Sequence, residues 1–265
     1  MSAAAAPPKP PTPRHAAIVR VTHWLTFIAF LALLITGGEI VISHPRFYWG
    51  EVGNSMTRPL FTIPIPASRD TVPTGYNYVM PDQNGWSRYL HFEAAWVAVL
   101  TGLVYVIYSL WTRHFRHDLL PEPGERSPRN FWRAFWQVIA KYLHRAPPGD
   151  ADAHAYNIVQ RTAYLAVIFV LFPLVIWTGL AMSPAFTAAV PSSVILLGGR
   201  QSARTLHFIV SGLLLLFLIV HVTMIAMAGF WPRMRAMITG RAVAPVPHKE
   251  EAIEAGIKPG IKEPA

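Results

Sequence analysis

Cysteine is absent from this chain of 265 residues. Its absence excludes disulfides, zinc–thiolate sites, cysteine-ligated iron–sulfur clusters and covalent c-type haem attachment. Charged residues are scarce as well, at 14% of the chain, where an average soluble domain has about 25%. Hydrophobic residues make up 52%. This balance argues against a disordered protein and against an ordinary soluble enzyme, and it favours a small membrane protein.

Four apolar stretches are each long enough to cross a bilayer, which takes about 20 helical residues. They run over residues 18–42, 89–111, 162–182 and 206–230. The sequence therefore predicts an all-α fold, an integral membrane four-helix bundle over residues 17–241, between disordered cytoplasmic tails at 1–16 and 242–265. The Ala/Pro-rich start does not resemble a signal peptide, because the apolar stretch that follows is too long and lacks a small-residue cleavage site.

The basic residues are divided unevenly among the loops. Of the 23 Lys and Arg residues, seventeen precede or begin the first stretch, lie between the second and third, or follow the fourth, and six lie in the other two loops. The positive-inside rule then places both termini in the cytoplasm. This arrangement also explains the net charge of +9, so we expect membrane lipid and no nucleic acid as a partner.

Two loops have a distinctive composition. The long loop at 44–88, periplasmic in this orientation, is rich in Pro, Gly and aromatic residues, which is typical of an ordered, irregular cap. The cytoplasmic segment 130–145 has apolar residues at helical spacing with basic residues among them. It predicts an amphipathic helix on the membrane surface, which serves as an anchor or contributes to a quinone or partner site.

Four of the eleven histidines, His23, His91, His207 and His221, lie inside the apolar stretches. Ionisable residues in a bilayer are costly and usually face the bundle interior. Fourteen residues separate His207 from His221, which places both on nearly the same helix face about 21 Å apart along the axis. One metal ion cannot bind both, so the spacing suits two sites at different depths.

The predicted orientation pairs the four histidines by depth. His91 and His207 lie toward the periplasm, and His23 and His221 toward the cytoplasm, although His23 follows Arg20 by only three residues and His221 precedes Trp231 by ten. Each pair joins two helices, as a b-type haem with two imidazole ligands requires. The sequence thus predicts two b-type haems, against the alternatives of interhelical hydrogen bonding or a proton relay.

Glycines and arginines near these histidines are open to two interpretations. Five of the glycines inside the stretches provide flat space for a cofactor or allow close helix packing: Gly37, Gly38, Gly102, Gly179 and Gly212. Arg20 and Arg204 each precede a histidine by three residues and so share its helix face. They are expected to bind haem propionates or to snorkel to the interface.

The sequence resembles the four-helix di-haem cytochrome b subunits of bacterial membrane oxidoreductases, a group that includes the formate dehydrogenase gamma subunit and the nickel–iron hydrogenase b-type cytochrome. The resemblance covers about residues 14–240 and is carried by Arg20-x-x-His23-Trp24, His91, Thr178-Gly179-Leu180, Arg204-x-x-His207 and His221. The segment from His44 to Glu51 is similar to the thiosulfate-reductase-type branch. The resemblance implies a location in the bacterial inner membrane, the same histidine pairing, quinone exchange near the cytoplasmic-side haem, and a periplasmic partner that contains molybdenum.

These observations predict an electron-transfer subunit rather than a catalyst acting alone, since the chain offers no nucleophile–base pair and no phosphate loop. It would carry electrons between the quinone pool and a periplasmic oxidoreductase of the thiosulfate reductase or sulfite oxidase type. Phe47, Tyr48 and Trp49 are candidates for partner contact or for an interfacial aromatic belt. The alternatives are a self-contained transmembrane b-type reductase and a haem-free membrane scaffold.

Overall fold

The computed structural model describes residues 15–54, 56–64, 86–121, 123–143, 157–227 and 229–240. The two tails predicted to be disordered lie outside these ranges, apart from residues 15 and 16. Within them the chain is mostly helical, and four helical segments are long and apolar enough to cross a membrane. The prediction of an all-α membrane bundle with four spans is therefore confirmed.

The spans agree with the predicted stretches to within a few residues. They are α1 (Ala17–Ser43), α2 (Trp86–Trp111), a composite third span (Ile158–Leu180) and α8 (Arg200–Met227). The third span consists of α4 (Ile158–Ala166), a π-helical segment (Val167–Leu171) and α5 (Phe172–Leu180). Shorter helices are α3 (Pro128–Leu143), α6 (Pro184–Ala189), α7 (Ser192–Ile195) and α9 (Phe230–Thr239), with a π turn at Phe115–Leu119 and a 3₁₀ turn at Pro123–Glu125.

A proline explains the irregular centre of the third span. Pro173 has no backbone N–H, so it cannot complete the ordinary helical hydrogen bond to the carbonyl four residues earlier. The backbone changes to π-helical bonding over Val167–Leu171, directly before α5 begins. Such a π segment accommodates an inserted irregularity without breaking the span.

The fourth span ends earlier than its hydropathy predicts. α8 stops at Met227, and Gly229 has a φ of +100°, a conformation that suits glycine. The chain then turns into α9, which lies against the start of α1. Trp24 Nε1 donates to Met237 O at 3.3 Å and Arg20 Nη1 to Ile238 O at 2.6 Å. Residues 229 and 230 therefore belong to a turn and a new helix rather than to the membrane span.

The outward faces of the spans are apolar, and their large side chains remain exposed. Ile35 on α1 and Leu216 on α8 are 65% and 56% exposed. The inward faces instead bury small and hydroxyl-bearing residues, among them Thr36, Ala98 and Ser109, which let membrane helices approach closely. This distribution is that of an integral membrane protein surrounded by lipid.

The loop after α1 folds into a cap through residue 64. Its strands β1 (Arg46–Phe47) and β2 (Phe61–Thr62) pair antiparallel, with Phe47 opposite Phe61. The Phe47 ring stacks on Phe61 at 4.8 Å and packs against Phe208 of α8 at 4.4 Å between ring centres. Residues 44–54 and 56–64 form irregular structure around this short strand pair, while residues 65–85 lie outside the described residues.

The cap is fastened to the start of α8. Gly50 N donates to Ser202 Oγ at 2.7 Å, and Thr205 Oγ1 donates to Tyr48 O at 2.7 Å. The backbones also approach closely, since a Cβ added at Gly199 would lie 2.4 Å from the carbonyl carbon of Gly50. The loop and the helix that carries His207 therefore behave as one packed unit.

The predicted amphipathic helix is present as α3. Phe131 and Phe135 stack at 6.1 Å, while Trp132 and Trp136 are 55% and 60% exposed. α3 packs against α4. Exposed indoles beside basic residues suit the interfacial position that the sequence predicts.

Candidate functional site

The structure brings the four intramembrane histidines together as two pairs. The ring centres of His91 on α2 and His207 on α8 lie 6.2 Å apart, with an angle of 63° between the rings. Those of His23 on α1 and His221 on α8 lie 6.4 Å apart, at 51°. These are the pairs that the depth argument from the sequence gives.

The helix boundaries remove the apparent depth mismatch of the second pair. His23 lies six residues after the start of α1, and His221 lies six residues before the end of α8. The sequence placed His221 too deep only because the apolar stretch continues beyond Met227 into α9. With the turn at Gly229, both imidazoles lie at the same distance from their helix ends.

The separation within each pair fits two imidazoles that bind one metal ion from opposite sides. A metal–imidazole bond is about 2 Å long, so the ring centres of two such ligands lie roughly 6 to 6.5 Å apart. Both observed separations fall in this range. Direct hydrogen bonding between two rings would bring their centres closer, so a group held between the rings explains the spacing better.

The donor set fits haem and does not fit zinc. Across the ranges that the structure describes, no group of three or more His, Cys, Asp or Glu side chains could hold a metal ion. Structural and catalytic zinc sites need three or four protein ligands. Haem iron needs only axial ligands from the protein, because the macrocycle supplies the other nitrogens.

A threonine on α1 fixes the proton position of His91. Thr36 Oγ1 lies 2.9 Å from His91 Nδ1 and 2.7 Å from Ala32 O. A hydroxyl has one proton, and the carbonyl can only accept, so Thr36 donates to Ala32 and accepts from His91. Nδ1 of His91 therefore bears hydrogen, and the lone pair is on Nε2, the nitrogen free for a metal.

His207 is held in the same way by the third span. Thr178 Oγ1 donates to Leu174 O at 2.8 Å and lies 3.1 Å from His207 Nδ1. The same Nδ1 lies 3.0 Å from Val175 O, which can only accept. The carbonyl independently requires hydrogen on Nδ1, so Nε2 of His207 also keeps its lone pair.

Each of these threonines precedes a glycine that makes room for the ring. A Cβ at Gly37 would lie 3.4 Å from His91 Cε1, and one at Gly179 would lie 3.3 Å from His207 Cε1. Cβ atoms added at Gly38, Gly102 and Gly212 would meet nothing within 4 Å. Two of the five glycines thus border the candidate site, and we call Thr36-Gly37 and Thr178-Gly179 the Thr-Gly cradles.

The His23–His221 pair has an aromatic rather than a hydrogen-bonded setting. His221 stacks on Phe217 at 5.6 Å and meets the edge of Tyr164 at 6.0 Å, while Trp24 lies 5.4 Å from His23. No hydrogen bond to a ring nitrogen of His23 or His221 is present among the residues that the structure describes. The two pairs therefore differ in how their imidazoles are oriented.

An apolar layer separates the two pairs. Val210 and Leu214 lie between His207 and His221 on α8 and pack with Val167 of the third span, and Phe30 of α1 lies against this cluster. These three aliphatic side chains are at most 7% exposed. This level of the bundle is buried and apolar, so the pairs form two distinct sites.

Arg20 and Arg204 each lie one helical turn from a histidine of the two pairs, and both donate hydrogen bonds to backbone carbonyls. Arg204 donates to His44 O and, at 3.1 Å, to Arg46 O, and its guanidinium lies 4.9 Å from the centre of the Phe47 ring. Arg20 donates to Ile238 O, but its Nε is buried without a hydrogen-bond partner among the residues described. That buried donor suits an acceptor such as a carboxylate.

The aromatic segment of the cap corrects one expectation. Phe47 and Tyr48 are 1% and 2% exposed, and only Trp49, at 58%, reaches the surface. Phe47 and Tyr48 were predicted to contact a partner or to form an interfacial belt; both interpretations are wrong, because the rings pack inside the cap.

His44, at the junction of α1 and the cap, has an altered acidity. Burial lowers the pKa of its imidazole, and the Arg204 and Arg88 guanidinium groups lower the pKa further, against a smaller opposing effect of a backbone hydrogen bond to Ile40. His44 is therefore neutral at pH 7 and adds no positive charge beside Arg204.

The chain is similar to known bacterial membrane proteins. The family model described as prokaryotic cytochrome b561 matches residues 14–240. A protein of Azospira oryzae named putative protein-methionine-sulfoxide reductase subunit YedZ1 is 29% identical over 234 residues, which cover 85% of this chain and 96% of that protein. No solved structure matches the chain.

Two further relatives have names of another kind. Probable Ni/Fe-hydrogenase B-type cytochrome subunits of Cupriavidus necator and Azotobacter chroococcum are 26% and 23% identical. The alignments cover 77% and 78% of this chain, and 74% and 77% of the relatives. The resemblance of the sequence to bacterial cytochrome b subunits is thereby confirmed.

Proposed function

The chain belongs to the prokaryotic cytochrome b561 family, and from this premise we propose that it is the membrane-anchoring, di-haem b-type cytochrome subunit of an oxidoreductase complex. The observation that carries the proposal is the presence of two facing histidine pairs, with ring centres 6.2 and 6.4 Å apart. Membership of a family of b-type cytochromes supports haem as the cofactor. The two histidine pairs support two haems in each chain.

In this proposal His91 and His207 hold one haem, and His23 and His221 hold the other. Haem iron, when bound, takes up and releases single electrons. The chain would supply one imidazole nitrogen from each of the four histidines; the two sites lie about 21 Å apart along α8, with the buried apolar residues Val210 and Leu214 between them.

Arg20 is proposed to bind a haem propionate near the His23–His221 pair. Its Nε is buried and lacks a hydrogen-bond partner in the described part of the chain, although Nη1 is bonded to Ile238 O. A guanidinium can serve both acceptors, because it presents five donors. Arg204 is proposed for the same role at the other pair, where its helix position relative to His207 is equivalent.

The partner is proposed to be an oxidoreductase docked on the periplasmic side. The relatives are named as subunits of methionine-sulfoxide reductase and of Ni/Fe hydrogenase, so a catalytic partner accounts for a chain without catalytic groups of its own. We propose further that the partner contains molybdenum, which rests on the similarity of residues 44–51 to the thiosulfate-reductase-type branch. Electrons would pass between this partner and membrane quinone near His23 and His221.

The test is a haem count on the purified full-length protein. A reduced-minus-oxidised spectrum with a pyridine haemochrome assay should give two b haems per chain. His91→Ala and His23→Ala should each leave one, and the control His114→Ala, which alters a histidine beyond the end of α2, should leave two. A folded protein with no haem would refute the proposal, and one haem per chain would refute its di-haem form.

A further inference from the structure

Two threonines occupy equivalent places against the His91–His207 pair. Thr36 on α1 and Thr178 on α5 are 1% and 0% exposed. Each accepts a hydrogen bond from Nδ1 of one histidine, and each is followed by a glycine that borders the same ring. The two Thr-Gly cradles thus hold the two imidazoles of this pair from two different helices in one manner.

We propose that Thr36 and Thr178 are positioning residues that lock His91 and His207 in the Nδ1–H tautomer and strengthen their Nε2 atoms as haem ligands. The inference rests on the proposed function, since it concerns the same site. Its physical basis is that an acceptor on Nδ1–H raises the electron density and basicity of the opposite nitrogen. A stronger axial donor stabilises ferric over ferrous iron and lowers the reduction potential of the site.

The hydrogen-bonding roles of the threonines are fixed by their own helices. The single hydroxyl proton of Thr36 is directed to Ala32 O at 2.7 Å, and that of Thr178 to Leu174 O at 2.8 Å. Neither hydroxyl can therefore donate to its histidine, and both remain acceptors. A buried acceptor in a low-dielectric interior acts on the ring without competition from water.

The His23–His221 pair has no Thr-Gly cradle among the described residues. His23 and His221 have aromatic neighbours, and in the residues that the structure covers no acceptor lies at their ring nitrogens. The cradles therefore act on one site only and lower its potential relative to the other. Their position explains how a chain with the same ligand set at both sites makes the two sites electronically unequal.

The two threonines are expected to differ in effect. His207 Nδ1 has a second acceptor in Val175 O at 3.0 Å, whereas the described contacts of His91 Nδ1 include Thr36 alone. Loss of the Thr178 hydroxyl leaves His207 with the carbonyl, while loss of the Thr36 hydroxyl leaves His91 with no acceptor. Thr36→Val should therefore shift the potential more than Thr178→Val.

The experiment is a redox titration of the purified full-length protein after its haem content has been measured. Thr36→Val should raise the potential of the haem that is lost in His91→Ala, by up to about tenfold in the one-electron equilibrium, or about 59 mV. Thr36→Ser keeps the hydroxyl and should restore the wild-type potential. The other haem should not move.

The matched control is Thr22, which lies on the same helix and is 5% exposed. Its hydroxyl donates to Ile18 O at 2.8 Å, and Val19 O lies 3.2 Å away. It thus repeats the backbone bonding of Thr36, and no histidine ring nitrogen is hydrogen-bonded to it among the residues described. Thr22→Val should leave the potential of the His91–His207 site unchanged, which separates the cradle from a general effect of removing a buried hydroxyl.

The outcomes separate this inference from the proposed function. Wild-type protein without two haems refutes the proposed function. Two haems with potentials that Thr36→Val and Thr178→Val leave unchanged refute the inference alone. Should Thr36→Val lose the haem altogether, retention of haem by Thr36→Ser supports the positioning role, and loss in both variants overturns it.

Discussion

At the scale of single residues, the candidate site depends on glycines that lack a side chain as much as on the histidines themselves. Gly37 and Gly179 border the rings of His91 and His207, and a Cβ at either position would lie 3.3 to 3.4 Å from a ring carbon. A larger side chain has to displace the ring, because the glycine lies on a helix packed into the bundle. Ring displacement would misdirect the nitrogen that we propose as an iron ligand.

Gly179→Val is therefore expected to remove the haem of the His91–His207 pair and to leave the other haem in place. The control is Gly102→Val, since a Cβ at Gly102 meets nothing within 4 Å. Both variants place a β-branched residue inside a span, and only the first contacts a histidine. Haem per chain, measured by the pyridine haemochrome assay, should be about one for Gly179→Val and about two for Gly102→Val.

Retention of both haems by Gly179→Val would contradict the role of the cradle. Loss of both haems would point to failure of the whole bundle rather than of one site. The result for the His23–His221 haem in the same sample thus serves as an internal measure of folding.

At the scale of elements, three arginines fasten chain segments to the spans through backbone carbonyls. Arg20 donates a hydrogen bond to Ile238 O at the end of α9, and Arg161 Nη1 donates to Leu120 O at 2.9 Å. Arg204 donates to Arg46 O at the start of the cap. A hydrogen bond from a charged donor contributes about 1.5 to 3 kcal/mol to stability. These contacts hold the non-membrane segments in place at both ends of the bundle.

Arg204→Gln is expected to destabilise the folded protein by about 2 kcal/mol, since two carbonyls of the cap lose their donor. Arg200→Gln, four residues earlier on α8, is the matched control. Arg200 forms an exposed ion pair with Glu51 at 3.6 Å, and such pairs contribute about 0 to 1 kcal/mol. Thermal unfolding in detergent should show a clearly larger loss of stability for Arg204→Gln. Equal losses in the two variants would contradict a stabilising role of the hydrogen bonds from Arg204 to the cap.

At the scale of the whole molecule, the membrane bundle could be predicted from the sequence, because length and hydropathy determine spans directly. The boundary between α8 and α9 could not. Hydropathy continues through Gly229 to Trp231, and only the positive φ of Gly229 shows where the helix ends. The same turn explains why the depth of His221 was uncertain from the sequence.

The pairing of the histidines follows from helix periodicity and depth, whereas their surroundings do not. Thr36 and Thr178 are ordinary threonines in an apolar stretch, and their role becomes visible only when α1 and α5 pack against the histidines. The one available signal is a Thr-Gly dipeptide in two spans, and Thr101-Gly102 repeats it in α2 without contacting a histidine. Contacts between distant segments decide which dipeptide borders a site.

Orientation is the remaining whole-molecule property, and the absence of cysteine makes it directly measurable. Gly124 lies in the loop predicted to be cytoplasmic, and Ala188 lies on α6 in the loop predicted to be periplasmic; both are exposed. In intact cells a membrane-impermeant thiol reagent should label Ala188→Cys and spare Gly124→Cys, and after permeabilisation it should label both. The wild-type chain is a built-in blank, because it has no thiol.

The predicted labelling follows from charge rather than from any contact in the fold. Seventeen of the 23 basic residues lie in the loop that contains Gly124 or in the two terminal segments. The positive-inside rule retains such segments in the cytoplasm. The reverse labelling would place the His91–His207 pair on the cytoplasmic side. A partner that exchanges electrons with that pair would then have to be cytoplasmic, so the same experiment decides on which side of the membrane the proposed oxidoreductase would dock.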